Sequence, residues 1–493
     1  MSPKRLHNSL TAGVLASVAV ACAGDPAPEL PPLPPKIEGA DAGPAGEVRP
    51  LRELAIALTG EVRGEIEPCG CPTLPYGGMA RRARLVEELR ARGVPVFSLD
   101  AGQMLAKGGA PAADAGERAS AVIAMARAAG LDAWAAGPLD LGVLGFQGLR
   151  AEGALSATWK GLAPATVIER DGVRLGVVGL SAPAEGVEVA DAVEAVAAAV
   201  RGDADAWVVL SNAPEDTARA VAAGVRRVGA VLSVRGTSHD LPVRTAGAPV
   251  VETPDRGRYV TLLHVSLGSD PGPWEIAEGG VWKGLATERG ILARLDEAAA
   301  REARAKDVAA LRGEVERATA GRNVAVIEER PLGSDLDGAS PVDPLLARFK
   351  RSVEGAAAAR VEEAPAVGWQ TAAGCVKCHA DYFAAWSFSP HARAHEALNL
   401  RGKGLDPECV ACHSTAWGEP GGFSTTDPTA IHTWKSVQCE ACHGPLRGHP
   451  ERESVKPAPV GEATCRRCHD AANSPQFDYA TYLRKVSCLS VGK

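Results

Sequence analysis

Cysteine follows a fixed grammar in the last quarter of this 493-residue chain. Cys375, Cys378 and His379 form a CxxCH unit, which repeats as Cys409/Cys412/His413, Cys439/Cys442/His443 and Cys465/Cys468/His469. Two thiols followed at once by an imidazole suit covalent porphyrin attachment. The thiols become thioethers, and the histidine is placed to ligate the iron. CxxC pairs alone also suit zinc knuckles and thiol redox sites. Neither needs a histidine in the fifth place of every unit. The repeats therefore predict four covalently attached c-type haems and electron-transfer chemistry.

The second axial ligand is constrained by composition. All four methionines, at positions 1, 79, 104 and 125, precede the haem region, so His/Met ligation requires the N-terminal domain to reach in. The region holds four histidines outside the motifs: His391, His395, His432 and His449. That number allows four bis-histidine haems, which favours low potentials and pure electron transfer. A haem short of a second imidazole keeps an open position for a small ligand. So short a stretch buries little side-chain surface of its own, so the porphyrins are expected to act as its core and the haem-free form to be largely unfolded.

The elements that position these residues read as follows. Residues 1–22 have the form of a lipoprotein signal peptide: Lys4 and Arg5, an apolar run from Leu10 to Ala21, then Cys22 as the lipidated residue. Residues 23–51, rich in Pro, Ala and Gly, read as a tether. Residues 52–285 alternate apolar strand runs with helical patterns and predict an α/β domain with a central sheet flanked by helices. Strands are expected at 54–58, 94–99, 173–180, 206–210, 230–234 and 259–265, and helices at 78–92, 116–129 and 190–201. Residues 286–368 read as a helical connector that opens with a single long helix over 286–320, followed by a short strand at 324–327 and a helix at 342–351. Residues 369–493 form the haem domain, expected to be mostly helix and loop. The net charge of −7 and the lack of a basic tail give no case for nucleic acid. No segment after the leader is apolar for long enough to span a membrane.

Residues 374–486 resemble the tetrahaem cytochrome c-554 family and its multihaem relatives. The resemblance rests on Trp386 to Leu398 (WSFSPHARAHEAL), on Cys439-Glu-Ala-Cys-His-Gly-Pro445 with His449 behind it, and on Ser474 to Tyr479 with Tyr482. It implies closely packed haem pairs, mostly bis-histidine, with one open axial position. By position it makes His391, His395 and His449 candidate distal ligands. Relatives end in a Lys-x-x-His-like segment, whereas this chain has Lys485-Val-Ser-Cys488. Cys488 replaces that histidine, or His432 compensates, or one haem stays five-coordinate.

Residues 52–270 resemble the metallophosphatase domain of periplasmic 5′-nucleotidases through Gly77 to Arg82, Ser98 to Gly102, Gly172 to Gly179 and Arg256 to Val260. That family holds two metals with Asp, Asn and His ligands. Here the corresponding places read Thr59-Gly-Glu, Gly102-Gln103, Gly137-Pro-Leu-Asp140 and Leu210-Ser-Asn212, and only His239 remains near the last histidine site. Too few ligands remain for two-metal hydrolysis, and a fold alone confers no activity. In their place stands Glu67-Pro-Cys-Gly-Cys71, where Cys69 and Cys71 form a disulfide, a redox pair or a metal-ligand pair.

The expected function is an exported, lipid-anchored tetrahaem cytochrome in the periplasm or at the outer membrane. It would move electrons between periplasmic or membrane redox proteins, with the phosphatase-like domain as a non-catalytic docking module. The alternative is a multihaem oxidoreductase acting on a small nitrogen or sulfur compound at an open haem.

Overall fold

The structure, a computed structural model, describes residues 52–486 except 69–74, 106–114, 235–246, 269–270, 278–279, 296–297, 320, 363–366, 401, 453, 471–473 and 475. The leader, the tether, Cys22, Cys69, Cys71, His239 and Cys488 lie outside the described residues.

The N-terminal region contains β1 (Arg52–Thr59), α1 (Met79–Arg90), β2 (Val96–Asp100), α2 (Ala115–Ala128), β3 (Leu131–Trp134) and α3 (Pro138–Ala151). Then come β4 (Ala165–Arg170), β5 (Val173–Leu180), α4 (Ala192–Ala199), β6 (Ala206–Ser211), α5 (Glu215–Gly224), β7 (Ala230–Val234), β8 (Val250–Thr253) and β9 (Tyr259–Leu267). After them stand β10 (Glu275–Ile276), α6 (Gly280–Arg294), α7 (Ala298–Thr319), β11 (Val324–Pro331) and α8 (Asp343–Val361).

Two sheets form where the sequence suggests one. The first has six strands in the order β10-β11-β9-β1-β2-β3, and the second five in the order β4-β5-β6-β7-β8. They lie face to face with helices outside, an α/β/β/α sandwich. Strand β1 shows how the sequence builds it. Leu54, Ile56 and Leu58 join Leu175, Val177, Val208 and Leu210 between the sheets. Ala55 and Ala57 point the other way, under Leu85 and Leu89 of α1. Strand alternation thus puts large residues between sheets and small ones beneath a helix. The second sheet is covered on its outer face by Val196 of α4 and Val221 of α5.

The stretch expected to be a helical connector departs from that reading in two ways. The helix over 286–320 is broken: α6 ends at Arg294, and α7 packs back on it through Leu285 and Val315. The strand expected at 324–327 forms as β11, but it runs on to Pro331 and enters the first sheet, antiparallel to β9 from Val324↔Ser266 to Pro331↔Tyr259. The sandwich therefore extends past residue 285. The reason is physical: β9 pairs with β1 on one side, and its other edge takes the next apolar run in the chain. Helix α8 then packs Val342 and Phe349 into the cluster that holds Val122 and Met125 of α2.

The C-terminal region is short helices and loops: α9 (Ala380–Ser387), α10 (Ala394–Asn399), α11 (Pro407–His413), α12 (Pro428–Trp434), α13 (Cys439–His443), α14 (Glu462–Arg466) and α15 (Tyr479–Val486). Its main apolar cluster is small, made by Val410, Trp417, Phe423 and Ile431 with Ala357 of α8. Among the described residues no helix is long and apolar enough to cross a membrane.

Candidate functional site

Each CxxCH unit is a single helical turn. In the first unit the His379 amide donates to the Cys375 carbonyl at 3.0 Å, and in the fourth His469 does the same to Cys465 at 2.9 Å. The second lies in α11 and the third is α13. A turn puts residues i, i+3 and i+4 on one face, so both thiols and the imidazole converge. None of the eight motif cysteines is buried.

The imidazoles show what that convergence can do. The Nδ1 of His413 is 2.7 Å from the Ala394 carbonyl, and the Nδ1 of His469 is 2.8 Å from Ser474 Oγ. Bonds at Nδ1 fix the ring and leave Nε2 for a metal. Phe477 stacks on the His469 ring at 5.0 Å, and Tyr482 meets it edge-on at 5.5 Å. Across from it stands His391, its ring centroid 6.2 Å from that of His469. A metal–imidazole bond is about 2 Å long, so two nitrogens on one metal are about 4 Å apart and their ring centroids about 6 Å. The spacing therefore suits one iron between His391 and His469. Burial keeps both pKa values below the usual imidazole value, helped at His391 by the nearby His469 and opposed at His469 by Asp470. The neutral ring is the ligating form.

The other predicted ligands are placed differently. His449 is half-buried, with Nδ1 3.1 Å from the Val455 carbonyl, which leaves its Nε2 for a metal. His395 is buried, and both its nitrogens are engaged: Nε2 with the Gly404 carbonyl at 2.9 Å and Nδ1 with the Asn399 amide at 3.4 Å. His432 is exposed on α12, and His379 is exposed at the start of α9. His443 is half-buried at the end of α13.

The motifs adjoin in pairs. Cys375 hydrogen-bonds Cys439, so the first unit meets the third. Cys412 hydrogen-bonds Cys468, so the second meets the fourth, and Cys442 lies near. That bond, with burial, raises the Cys468 thiol well above its usual value. The donor set and the pairing fit covalent haem: thiols and imidazoles share faces, and the chain between motifs supplies little apolar core.

Polar stitching holds the segment instead, and sequence reasoning missed it. Glu440 is buried inside the third motif and accepts from the Gln370 amide at 2.7 Å and the Leu446 amide at 2.9 Å. Gln438 accepts from the Ala372 amide at 2.7 Å, and Trp386 Nε1 donates to the Val437 carbonyl at 2.8 Å.

A second missed feature joins the sandwich to the haem segment. Lys350 Nζ lies 2.8 Å from Glu67 and 3.1 Å from Asp406, and Lys403 Nζ lies 2.5 Å and 3.1 Å from the same two carboxylates. Arg118 pairs with Glu408. The Glu67, Asp406 and Glu408 carboxylates are within 4.8 Å of one another, and these cations of the chain itself neutralise them. Asp406 also caps α11 through the Glu408 amide at 3.1 Å. Asp-Pro-Glu before a helical Cys is a legible start signal; its partners lie too far along the chain to read. Burial, with Asp406 behind it, pushes the Cys409 thiol up to about 12.

At the strand ends of the sandwich most polar groups bond one another, while Arg82 Nε and Nη1 are buried without a hydrogen-bond partner. Asp140 accepts from the amides of Gln103 (2.9 Å), Leu105 (2.8 Å) and Gly137 (3.1 Å). Gln103 Oε1 accepts from Leu139 at 2.9 Å, and Asn212 donates to the carbonyls of Ala101 and Ala136 at 3.0 and 2.9 Å. Asp100 accepts from Thr59 at 2.6 Å, with the buried Arg82 guanidinium 3.7 Å away. Gln103, Asp140 and Asn212, at three of the places where the resemblance expects metal ligands, are thus engaged in internal hydrogen bonds.

Residues 374–444 match the family model described as Cytochrome c554 and c-prime. Cytochrome c-554 of Nitrosomonas europaea is 34% identical over 88 residues, which is 15% of this chain and 37% of that protein. The sandwich is similar to a 5′-nucleotidase precursor from Thermus thermophilus, at 18% identity and a TM-score of 0.44, covering 64% of this chain and 61% of that one. It is also similar to a calcineurin-like phosphoesterase from Bacillus subtilis, at 15% identity and a TM-score of 0.42, covering 62% and 98%. The chain thus spans well under half of the cytochrome and less than two thirds of the nucleotidase. Residues 374–444, behind the α/β sandwich, are thus similar to the cytochrome c554 and c-prime family over a short stretch of each chain.

Proposed function

We propose that the chain is an exported tetrahaem cytochrome that passes electrons between redox partners, carried on a non-catalytic α/β module. The observation that carries this reading is the pair His391 and His469, two imidazoles with ring centroids 6.2 Å apart, the second of them the histidine of a CxxCH turn. Bound haem supplies one-electron chemistry at its iron. The chain's residues do the rest. The eight motif cysteines tether the porphyrins, and the motif histidines ligate. Ala394 and Ser474 fix ring orientation through Nδ1. The adjoining first–third and second–fourth motifs would hold porphyrins as neighbours, the arrangement that electron exchange needs. Partners are proposed to be periplasmic or membrane redox proteins, with the chain anchored through lipid at Cys22.

The test is a haem count with EPR and redox-difference spectra of the matured protein. Four haems that stay blind to carbon monoxide support the carrier. His391→Ala is expected to convert one low-spin haem to high-spin without loss of haem. An unchanged EPR spectrum would remove His391 from the ligand set.

A second reading, an oxidoreductase at an open haem, is favoured by one observation. His395 is committed to Gly404 and Asn399, and His432 is exposed. With those two set aside, four motifs share two further imidazoles. A wild-type haem that binds nitric oxide, with turnover of a small nitrogen or sulfur compound, would establish that reading. Phosphoesterase activity is not proposed, because Gln103, Asp140 and Asn212 are already hydrogen-bonded to the chain. Manganese-dependent hydrolysis of a model phosphoester by the purified chain would contradict this.

A further inference from the structure

We propose that the α/β sandwich sets the reduction potential of the haem carried by Cys409 and Cys412, through the charges of Glu67 and Lys350. The proposal rests on the haem reading above and adds a task for the sandwich within it.

Glu67 follows β1, Arg118 is in α2 and Lys350 is in α8, while Lys403, Asp406 and Glu408 belong to the haem segment. The six side chains form one balanced cluster, three acids against three bases. It is largely withdrawn from water: the Asp406 side chain is 4% exposed and that of Glu67 18%. Salt screens such partly buried charges less than surface pairs, so a change of one charge is felt nearby.

The second haem unit is what lies nearby. Asp406 caps the helix that carries Cys409. The groups acting electrostatically on the Cys409 sulfur are Asp406, Lys403, Glu67 and Lys350, two of them from outside the haem segment. In a matured chain that sulfur is a thioether and no longer titrates, but the same charges act on the macrocycle joined to it. Net charge around a haem is one of the levers on its potential. A negative neighbour favours the oxidised iron and lowers the potential; a positive neighbour raises it. A cluster that merely held the helix in place would have no such sign.

The sign supplies the test. The matured full-length protein, Glu67→Gln, Lys350→Met and the double variant are titrated spectropotentiometrically. The expected result is that Glu67→Gln raises one haem midpoint, Lys350→Met lowers the same one, and the double variant returns it close to wild type. The other midpoints stay in place. Shifts of the same sign in both single variants, shifts spread over all haems, or no shift would overturn the proposal. So would loss of one haem from both single variants, since that is a purely structural role. Mass analysis of the wild-type peptide spanning Cys409 and Cys412 separates the two levels of argument. A peptide without porphyrin sinks the haem assignment itself, and a loaded peptide with unmoved midpoints sinks only the electrostatic link.

Discussion

Asp140 shows burial and hydrogen bonding pulling in opposite directions at one carboxyl. Burial is the larger effect and raises its pKa to about 7, against the opposing pull of backbone amides from Leu105, Gln103 and Gly137. A carboxyl with a raised folded pKa stabilises the fold fully below the ordinary Asp value, near 4. That contribution is lost as pH climbs through about 7. The sandwich is therefore expected to lose stability between pH 4 and 7, by on the order of 4 kcal/mol at most from this group. Asp140→Asn should flatten the slope, as read by urea unfolding across that range. The CxxCH units were legible because all their chemistry fits within one turn. The pairing of His391 with His469, and of Lys350 with Glu67 and Asp406, was not, because those partners meet only after the chain folds. His395 shows the other side of this. Its place in a matching stretch suggests a ligand, while its ring is spent on Gly404 and Asn399.

Elements were legible where apolar runs were long. Strands β1, β2, β5, β6, β7, β9 and β11 and helices α1, α2, α4 and α8 fall where the patterns put them. Helix α3 was missed because Gly142, Gly145 and Gly148 lower its helical propensity, and the backbone does leave helical geometry at Gly145. Strand β4 was missed because none of its residues is buried and Val167 and Glu169 are exposed, which leaves it no clear apolar face. Gly179 in β5 has a role its sequence hides. A Cβ there would lie 2.2 Å from the Leu155 carbonyl oxygen, backbone that cannot swing aside. Its own carbonyl accepts from the Ala157 amide at 2.7 Å. Gly179→Ala is expected to cost about 1–3 kcal/mol, seen as a lower urea midpoint at an unchanged m-value.

At the scale of the whole molecule the chain is two kinds of matter. The sandwich is held by interleaved apolar side chains, the haem segment by polar stitching around sites for porphyrin. Expression without haem attachment should therefore leave the sandwich protected and residues 369–486 open to protease, as mapped by mass spectrometry of limited digests. Equal protection with and without haem would mean the segment builds its own core. Strand β11 makes the two kinds inseparable at the point where the sequence suggests a seam. It runs along β9 from Tyr259 to Ser266 before the chain turns to the CxxCH motifs. A chain ended at residue 285 would bare that ladder as a long apolar edge, ready to pair with another copy. Such a fragment is expected to aggregate, while one ended after α8 stays monodisperse by light scattering. The fusion is thus written into the sheet, and a free-standing sandwich would have to evolve a new guard for its edge.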